Sequence, residues 1–315
     1  MGFIDELKHE NIEGIRKFPK SDLHNHFVLG GSRKYLRENT GVYIQPIKEP
    51  LYSMDEMHAW NEKNIGPDLN TPEGRRLLIK AAFAQAKEDG VSILEIGEDV
   101  WGLGEFFHGD IDELVASFET ANQEIAPEIE LRLQIGLSRH CDIGYLEDCL
   151  SHFWGNKAFY SIDLYGDELA QPIENFKSIY RRAKSEGLRL KAHVGEWGTA
   201  DDVRKAVECL ELDEVQHGIA AANDTSVVRF LADNHIRLNI TPSSNYLLGR
   251  VKDLKSHPIA QLYHSGVDVT INSDDVLIFD SDVSKEYLRL YQCGLLTAEE
   301  LDDIRKNGLK SMSSK

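Results

Sequence analysis

Residues 20–27 read KSDLHNHF, and the order of polar and apolar residues in this stretch is typical of a β-strand. Successive side chains of a strand point to opposite faces, so the polar residues Asp22, His24 and His26 share one face. Leu23 and Phe27 share the other face, which can pack against helices while the polar face looks into a barrel. Two histidines at this spacing, near the carboxyl end of a strand, are within reach of one metal ion. The stretch therefore predicts a buried strand and part of a metal site.

Seven further β-rich runs follow, and longer segments with helical signals separate them. The runs are 92–97 (SILEIG), 131–139 (LRLQIGLSR), 159–166 (FYSIDLYG), 188–196 (LRLKAHVGE), 214–218 (EVQHG), 236–244 (IRLNITPSS) and 267–275 (VDVTINSDD), which with 19–27 make eight. Strands that alternate with helices pair in parallel, and eight such units close a barrel. No linker or repeat divides the sequence. We therefore expect one α/β domain over residues 1–315, a (β/α)₈ TIM barrel.

Capping residues mark two of the predicted helices. Thr71 and Pro72 suit the N-cap and the first position of a helix that Gly90 closes. Thr297 and Glu300 have the spacing of a capping box before LDDIRKN, which is followed by Gly308.

The segment between the first two strands has about 65 residues, far more than a crossover helix needs. It includes Tyr52, Met54, Met57 and Trp60. We expect this helical insertion, residues 40–75 in particular, to form a lid over the carboxyl ends of the strands. A peripheral helical decoration is the alternative.

The charge and the apolar pattern of the chain exclude several classes of function. The 35 Lys and Arg against 53 Asp and Glu give a formal charge of −18 with neutral histidines. Nucleic-acid-binding proteins carry basic surfaces, so a nucleic acid partner is not expected. The four cysteines form no C-x-x-C pair, no apolar run approaches the roughly 18 residues of a membrane helix, and no signal peptide is recognised. We expect a cytoplasmic protein without a membrane partner.

The carboxyl ends of the later strands carry chemistry that matches the histidine pair. His193 and Glu196 end the fifth run, His217 ends the sixth, and Asp274 and Asp275 end the eighth. In a barrel of parallel strands these ends meet at the face that holds the active site. Alternation along the last run points Asp274 inward, towards the histidines.

Four of these side chains make a ligand set of three nitrogens and one oxygen: His24, His26, His193 and Asp274. Such a set suits Zn²⁺ and leaves a position for water. The sequence thus predicts a zinc centre at the carboxyl ends of the strands.

Several motifs together make the chain resemble the adenosine deaminase family of the amidohydrolase superfamily. In order they are KSDLHNH (20–26), LSRH (137–140), IDLYGDE (162–168), KAHVGE (191–196), QHG (216–218), TPSSN (241–245), NSDD (272–275), and then SKEYL and LLTAEEL. The resemblance implies a hydrolase of purine metabolism with one zinc per subunit, held by His24, His26, His193 and Asp274. It also counts Asp274 among the catalytic residues and His26 among those that contact the substrate.

The reaction that the resemblance implies is hydrolytic removal of the 6-amino group of an adenine nucleoside or 5′-nucleotide, giving the inosine-type product and ammonia. Zinc lowers the pKa of water from 15.7 to about 7, and the water attacks C6. Glu196 delivers a proton to N1, and His217 orients or deprotonates the water. Asp275 contacts N7, and the backbone N–H of Gly166 contacts N3. An acid in the role of Glu196 needs a pKa raised by an apolar or anionic setting.

A binuclear amidohydrolase, which bridges two metals with a carboxylated lysine after the fourth strand, is the neighbouring interpretation. The fourth run ends in LYG (164–166) and offers no lysine there. Lys191 on the fifth run faces the interior by alternation. We expect Lys191 to pair with Asp22 or Asp163 below one metal, in a structural role.

The chain departs from the family just after its histidine pair. Relatives that act on adenosine commonly read H-x-H-L-D-G-S, where the Asp and the second His hold the ribose 5′-hydroxyl. Here residues 26–34 read HFVLGGSRK, so the carboxylate is missing and two glycines precede Ser32, Arg33 and Lys34. Backbone N–H groups, a hydroxyl and two cations suit an anion. We expect Ser32 and Arg33 to bind a 5′-phosphate, as in AMP or dAMP; solvated residues at a helix start are the alternative.

Two other functions stay open. The first keeps the chemistry but takes a free 6-aminopurine base, such as adenine or a modified adenine, because the missing carboxylate weakens the case for a ribose. The second is a barrel that binds without catalysis, which would predict loss of Glu196 or of a zinc ligand, and neither is lost. The sequence runs only 40 residues past Asp275, so we also expect an edge for contact between identical subunits.

Overall fold

Eight parallel strands form one sheet in the computed structural model, which describes residues 2–310. Within those residues the strands are β1 (Lys20–Asp22), β2 (Val91–Ile96), β3 (Glu130–Ser138), β4 (Phe159–Tyr165), β5 (Arg189–Val194), β6 (Glu214–His217), β7 (Arg237–Ile240) and β8 (Asp268–Ile271). They pair in sequence order and make a nearly closed barrel with helices around it. The predicted (β/α)₈ barrel and its eight strands are confirmed.

Helices connect and cover the strands. In the described part of the chain they are α1 (Phe3–Lys8), α2 (Ile12–Ile15), α3 (Arg33–Thr40), α4 (Met54–Asn64), α5 (Gly66–Leu69), α6 (Pro72–Asp89), α7 (Gly102–Phe106), α8 (Ile111–Ile125), α9 (Ile143–Leu150), α10 (Lys177–Ser185), α11 (Ala200–Leu210), α12 (Thr225–Asp233), α13 (Pro242–Leu247), α14 (Ile259–His264), α15 (Val276–Phe279), α16 (Val283–Gln292) and α17 (Ala298–Leu309), with 3₁₀ turns at Ile173–Phe176, Ile219–Asn223 and Leu254–Ser256. None of the helices between residues 2 and 310 has the length and apolar character needed to cross a bilayer.

Both predicted helix starts and the predicted end at Gly90 are confirmed. Thr71 Oγ1 accepts the N–H of the third residue of α6, and Gly90 ends that helix with φ of 74°. Thr297 and Glu300 form the capping box of α17. That helix runs through Gly308 and ends at Leu309. A side chain at position 308 would overlap the hydroxyl of Ser21 on β1. Glycine at this position serves close packing against β1 and not helix termination.

Three strands end four or five residues earlier than the sequence predicts. β1 ends at Asp22, β7 at Ile240 and β8 at Ile271. Pro242 begins α13, since proline lacks the N–H that a strand ladder needs. Asp274 has a φ of 60°, which is outside the extended conformation. Several of the predicted functional residues therefore lie on the loops that follow the strands.

The barrel interior is polar, whereas branched apolar side chains usually fill this space. Lys191 Nζ lies 2.7 Å from Glu95 Oε1 and 3.2 Å from Glu214 Oε2, and all three side chains are buried. Burial opposes a charged lysine, but Glu214 and Glu95 more than offset this and raise the Lys191 pKa. The three residues form a charged layer across the centre of the barrel.

The predicted partners of Lys191 were wrong. Lys191 and Asp163 are register neighbours on β5 and β4, but the Asp163 carboxylate is turned towards the ring of His193. Asp22 accepts hydrogen bonds from both the backbone and the hydroxyl of Ser273. Both aspartates thus have other partners, and the lysine pairs with Glu214, its register neighbour on β6, and reaches across the barrel to Glu95 on β2.

Side chains replace a regular ladder where β8 meets β1. The N–H of Leu23 donates to Asn272 Oδ1 over 2.8 Å, and the N–H of Asp274 donates to the carbonyl of His24 over 2.9 Å. An isolated bridge joins Asn25 to Asp274. This seam therefore brings Asp274 next to the histidine pair.

Candidate active site

The four predicted metal ligands converge at the carboxyl ends of the strands. Ligand atoms of His24, His26 and His193 lie within 4.8 Å of one another. Asp274 Oδ1 is 3.7 Å from His24 Nε2 and 3.6 Å from His26 Nε2. Ligands at a tetrahedral zinc, with bonds of about 2.1 Å, lie about 3.4 Å apart. The spacing of these atoms is close to what one zinc ion requires.

The hydrogen bonds of the rings leave nitrogens free for a metal. His24 Nδ1 donates to the carbonyl of Asn239 over 3.0 Å, and His193 Nδ1 lies 3.3 Å from Asp163 Oδ1. Such partners fix the tautomer of a ligating histidine. Among the described residues the buried His24 Nε2 has no hydrogen-bond partner. His26 Nε2 and His193 Nε2 are 3.2 Å apart, a spacing that a shared cation satisfies. The donor set therefore fits a metal ion.

Glu196 and His217 meet beside this cluster. Glu196 Oε2 lies 3.5 Å from His217 Nε2, and the His217 ring centroid is 4.5 Å from that of His24. Burial, followed by the charges of Asp274 and Glu168, raises the Glu196 pKa well above its ordinary value. Burial and the neighbouring rings hold the His217 pKa well below its ordinary value. This setting favours a protonated Glu196 beside a neutral His217.

A single carboxylate holds the loop that carries Glu196. Glu168 accepts the backbone N–H groups of Gly195 (2.6 Å), Glu196 (3.1 Å), Trp197 (2.7 Å) and Gly198 (3.2 Å). Glu168 belongs to the motif IDLYGDE, but the sequence analysis assigned it no role. A buried acidic residue after the fourth strand was the available signal, although its target is visible only in three dimensions.

The predicted contacts to N7 and N3 lie at the same cavity. Asp275 is buried, and its Oδ1 has no hydrogen-bond partner within residues 2–310. Burial and then the charges of Asp274 and Glu196 raise the Asp275 pKa well above its ordinary value. Gly166 has a φ of 86°, a backbone conformation that residues with a side chain rarely adopt. It lines the cavity and has no side chain to cover its backbone.

The cavity has a volume of about 540 Å³ and is covered by the long insertion after β1. From that insertion Met54, Met57 and His58 of α4 line the cavity. Met57 and Trp60 also pack on an apolar cluster formed by Leu248, Ile278 and Phe279. Tyr52, in contrast, is 64% exposed. The insertion thus has the position of a lid, and its opening stays a prediction.

One side of the cavity, formed by α6 and by the residues at the ends of β2 and β3, was not predicted from the sequence. Arg75 Nε lies 3.2 Å from Glu98 Oε2, and both side chains are buried. Ser138 donates a hydrogen bond to Asp99, and burial raises the Asp99 pKa to about 7. All four residues line the cavity. The polar residues that follow the second run were the missed signal, since the same rule had identified the other strand ends.

The predicted phosphate site at Ser32 and Arg33 is not formed. Ser32 is buried and caps α3, accepting a backbone N–H. Arg33 donates to the carbonyls of Val276 and Leu277 over 2.6 Å each, and to Asp280 Oδ1 over 2.7 Å. Neither Ser32 nor Arg33 is among the residues that line the cavity. The helix-start alternative, which concerned Arg33 and Lys34, fits the exposed Lys34, whereas the guanidinium of Arg33 binds the carbonyls of α15.

Two more buried residues that the sequence analysis passed over contact the catalytic pair. Asn245 Nδ2 lies 3.3 Å from Glu196 Oε1 and 3.2 Å from His217 Nδ1. Thr241 Oγ1 lies 3.0 Å from the same ring nitrogen. Both residues belong to the quoted motif TPSSN, which had been assigned no function.

Comparison with known proteins gives a consistent group of relatives. A family model described as adenosine deaminase matches residues 69–314. A protein of Treponema pallidum named "Putative adenosine/adenine deaminase" is 32% identical over 299 residues, which are 94% of this chain and 100% of the relative.

Two solved structures share the barrel. The adenine deaminase of Arthrobacter aurescens has a TM-score of 0.80 at 23% identity, and the match covers 94% of each chain. An amidohydrolase of Burkholderia ambifaria, solved with bound zinc, has a TM-score of 0.79 at 20% identity, and the match covers 96% of this chain and 86% of that one. Both likenesses concern the fold.

Proposed function

The chain belongs to the adenosine deaminase family, and from that premise we propose that it removes the 6-amino group of adenine by hydrolysis, giving hypoxanthine and ammonia. One observation carries the proposal. Glu196 and His217 lie 3.5 Å apart and line the same cavity as the cluster of His26, His193 and Asp274. An acid, a histidine and a metal-binding cluster around one cavity are what an attack of water on a purine needs.

We propose zinc as the metal, one ion held by His24, His26, His193 and Asp274. When bound, zinc supplies a positive charge that polarises water and lowers its pKa towards neutrality. The unpartnered His24 Nε2 and the N₃O donor set support this assignment. The zinc in the Burkholderia amidohydrolase supports it as well.

The side chains of this protein handle the protons and the orientation of the ring. Glu196, whose side chain is 9% exposed, donates a proton to N1 as water adds to C6. Addition of the water oxygen to C6, with the proton on N1, makes C6 tetrahedral. The proton that the water gives up passes to the 6-amino nitrogen, and the C6–N bond breaks to release ammonia as C6 becomes a carbonyl. Asp275, whose Oδ1 is unpartnered among the described residues, faces N7, and the backbone of Gly166 faces N3. His217 contacts the attacking water on the side of Glu196.

The free base is proposed over a 5′-nucleotide because Arg75, the one arginine or lysine among the described residues that line the cavity, is already paired with a carboxylate. Ser32 and Arg33 are committed to α3 and α15. The lining carries the carboxyl groups of Glu98 and Asp99 but no further Arg or Lys side chain among the described residues, and Arg75 beside them already pairs with Glu98.

Adenosine is the second candidate substrate. The cavity of about 540 Å³ reaches from the histidine cluster to α4, and its size supports room for a sugar beside the base. The name of the Treponema relative includes both adenosine and adenine.

The test is an assay of ammonia release and of the ultraviolet change on zinc-loaded protein with adenine, adenosine, deoxyadenosine, AMP and dAMP. We expect adenine to have the highest kcat/KM and the nucleotides the lowest. Glu196→Gln, purified in the same way, is the control for contaminating deaminases. Because glutamine cannot deliver the proton, its activity should fall by about 10²- to 10⁴-fold.

The outcomes separate the alternatives. A preference for AMP or dAMP would overturn the free-base assignment, and a preference for adenosine would replace adenine by its nucleoside. Activity on none of the five compounds would refute adenine-type deamination itself.

A further inference from the structure

Asn245 is a buried amide at the centre of a hydrogen-bonded chain behind the catalytic pair. It lies on α13, has no exposed surface, and touches both Glu196 and His217 through Nδ2. Its other amide atom, Oδ1, lies 3.1 Å from His257 Nε2. The chain therefore runs from His257 through Asn245 to the two catalytic side chains.

His257 decides which way the amide of Asn245 points. The N–H of Ile259 donates to His257 Nδ1 over 3.1 Å, so that ring nitrogen is an acceptor and carries no proton. Burial lowers the His257 pKa to about 3, so the ring is neutral and its proton lies on Nε2. An Nε2–H group needs an acceptor, which is Oδ1 of the amide. The NH₂ group of Asn245 must then face Glu196 and His217.

This orientation sets the tautomer of His217. An amide NH₂ group only donates, so His217 Nδ1 must accept. The proton of the neutral imidazole is then on Nε2, the nitrogen that faces Glu196 and the metal-binding cluster. The hydroxyl of Thr241, which can donate or accept, is compatible with an acceptor at Nδ1.

We propose that Asn245, oriented by His257, is a positioning residue that presents His217 to the reaction centre as an N–H donor. Two roles are open for His217 from the sequence: it either orients the water or removes a proton from it. A protonated Nε2 donates to an oxygen at C6 and takes no proton from it. The same NH₂ group holds the Glu196 carboxyl beside N1. The kinetic consequences rest on the proposed function, whereas the tautomer of His217 does not.

The direct test is nitrogen NMR of zinc-loaded protein labelled with ¹⁵N-histidine. The resonances of His217 are identified by their loss in His217→Asn. We expect a protonated Nε2 and an unprotonated Nδ1. A protonated Nδ1 in the wild-type protein would overturn the proposal, whether or not any purine is turned over.

Asn245→Asp keeps the shape of the side chain and removes its donors. A carboxylate in this position accepts a hydrogen bond from His217 and offers none, so we expect the ring proton to move from Nε2 to Nδ1. We also expect kcat to fall by about 10²-fold and KM to change by less than about threefold, since an oriented donor acts mainly in the transition state. An unchanged kcat with unchanged ¹⁵N resonances would contradict the proposal.

Two comparisons separate positioning from loss of stability. Asn122→Asp is the matched control, because it replaces another buried asparagine, on α8, by the same residue. Asn122 Nδ2 donates to the carbonyls of Ala126 and Ile129. The kcat of this variant should stay near the wild-type value. His257→Gln keeps a donor near the place of Nε2 and should retain kcat within about threefold, whereas His257→Leu should lose about 10-fold or more. Equal activities of the two His257 variants would contradict the orienting role.

If no purine is deaminated, the proposed function is wrong, and kcat and KM of the variants cannot be measured. The NMR measurement then still decides whether Asn245 and His257 set the His217 tautomer.

Discussion

Glu168 Oε2 accepts the backbone N–H of Glu196 over 3.1 Å, so a buried carboxylate positions the residue that carries the catalytic carboxyl group. Three further N–H groups of residues 195–198 point at Glu168. Glu168→Gln replaces one acceptor by an NH₂ group that faces these donors. We expect kcat to fall by about 10-fold or more and the free energy of unfolding to fall by about 1–3 kcal/mol. Steady-state kinetics and urea denaturation measure the two effects.

The matched control for this variant is Glu300→Gln. Glu300 also accepts a backbone N–H, in the capping box of α17, but lies far from the cavity. Its loss should affect stability alone. Equal kcat values for the two variants would show that Glu168 does not position the loop.

Lys191→Met should destabilise the barrel strongly. The substitution leaves Glu95 and Glu214 buried without their cation. Breaking a buried ion pair from one side costs about 3–5 kcal/mol, which denaturation in urea would measure. Adding Glu95→Gln and Glu214→Gln to the same protein should recover much of this loss, because no unpaired charge remains. A single variant as stable as the wild-type protein would refute a structural role for Lys191.

The stability of the protein should depend on pH through Asp99. Burial raises the Asp99 pKa from 3.8 to about 7, so the folded protein favours the protonated carboxyl. Its contribution is fully present below about pH 4 and is lost as the pH rises through about 7. Asp99→Asn cannot ionise and avoids this loss. Relative to the wild-type protein, we expect the variant to gain about 1–4 kcal/mol between about pH 5 and about pH 8. A difference independent of pH in urea titrations would contradict this assignment.

Arg33→Ala should change stability and leave substrate preference unchanged. Arg33 fastens the carbonyls of Val276 and Leu277, so its removal should cost about 1–3 kcal/mol. The ratio of kcat/KM for adenine to that for AMP should remain that of the wild-type protein. Lys34→Ala, which alters an exposed neighbour, controls for the change of charge. If Arg33→Ala lost AMP turnover but kept adenine turnover, Arg33 would bind the phosphate after all.

Local pattern was sufficient for the barrel and for the position of the metal cluster. Alternation along single strands pointed His24, His193 and Asp274 to one side, and parallel pairing then brings their strand ends together. This inference needs no knowledge of partners. It holds even though β8 ends before Asp274, because the seam hydrogen bonds hold that loop in place.

What the sequence could not show is the partner of a long or buried polar side chain. Arg33 stands next to the cavity in sequence, but its guanidinium reaches α15, about 240 residues away along the chain. Lys191 does not pair with Asp163, its register neighbour on β4, but with Glu214 on the other neighbouring strand and with Glu95 across the barrel. The amide of Asn245 is oriented by His257, which belongs to a different loop. These contacts depend on layers within the barrel, which periodicity does not encode.

The seam between the last strand and the first has a mechanical consequence for the whole barrel. Asn272 replaces a strand ladder there, and His24 and Asp274 lie at its upper edge. A cation bound by both residues would connect β8 to β1, the two neighbouring strands that no regular ladder of hydrogen bonds joins. Its binding energy would add directly to the resistance of the barrel to opening. Chelation should therefore increase amide hydrogen exchange first in residues 20–26 and 268–275, before any change in the strands on the opposite side.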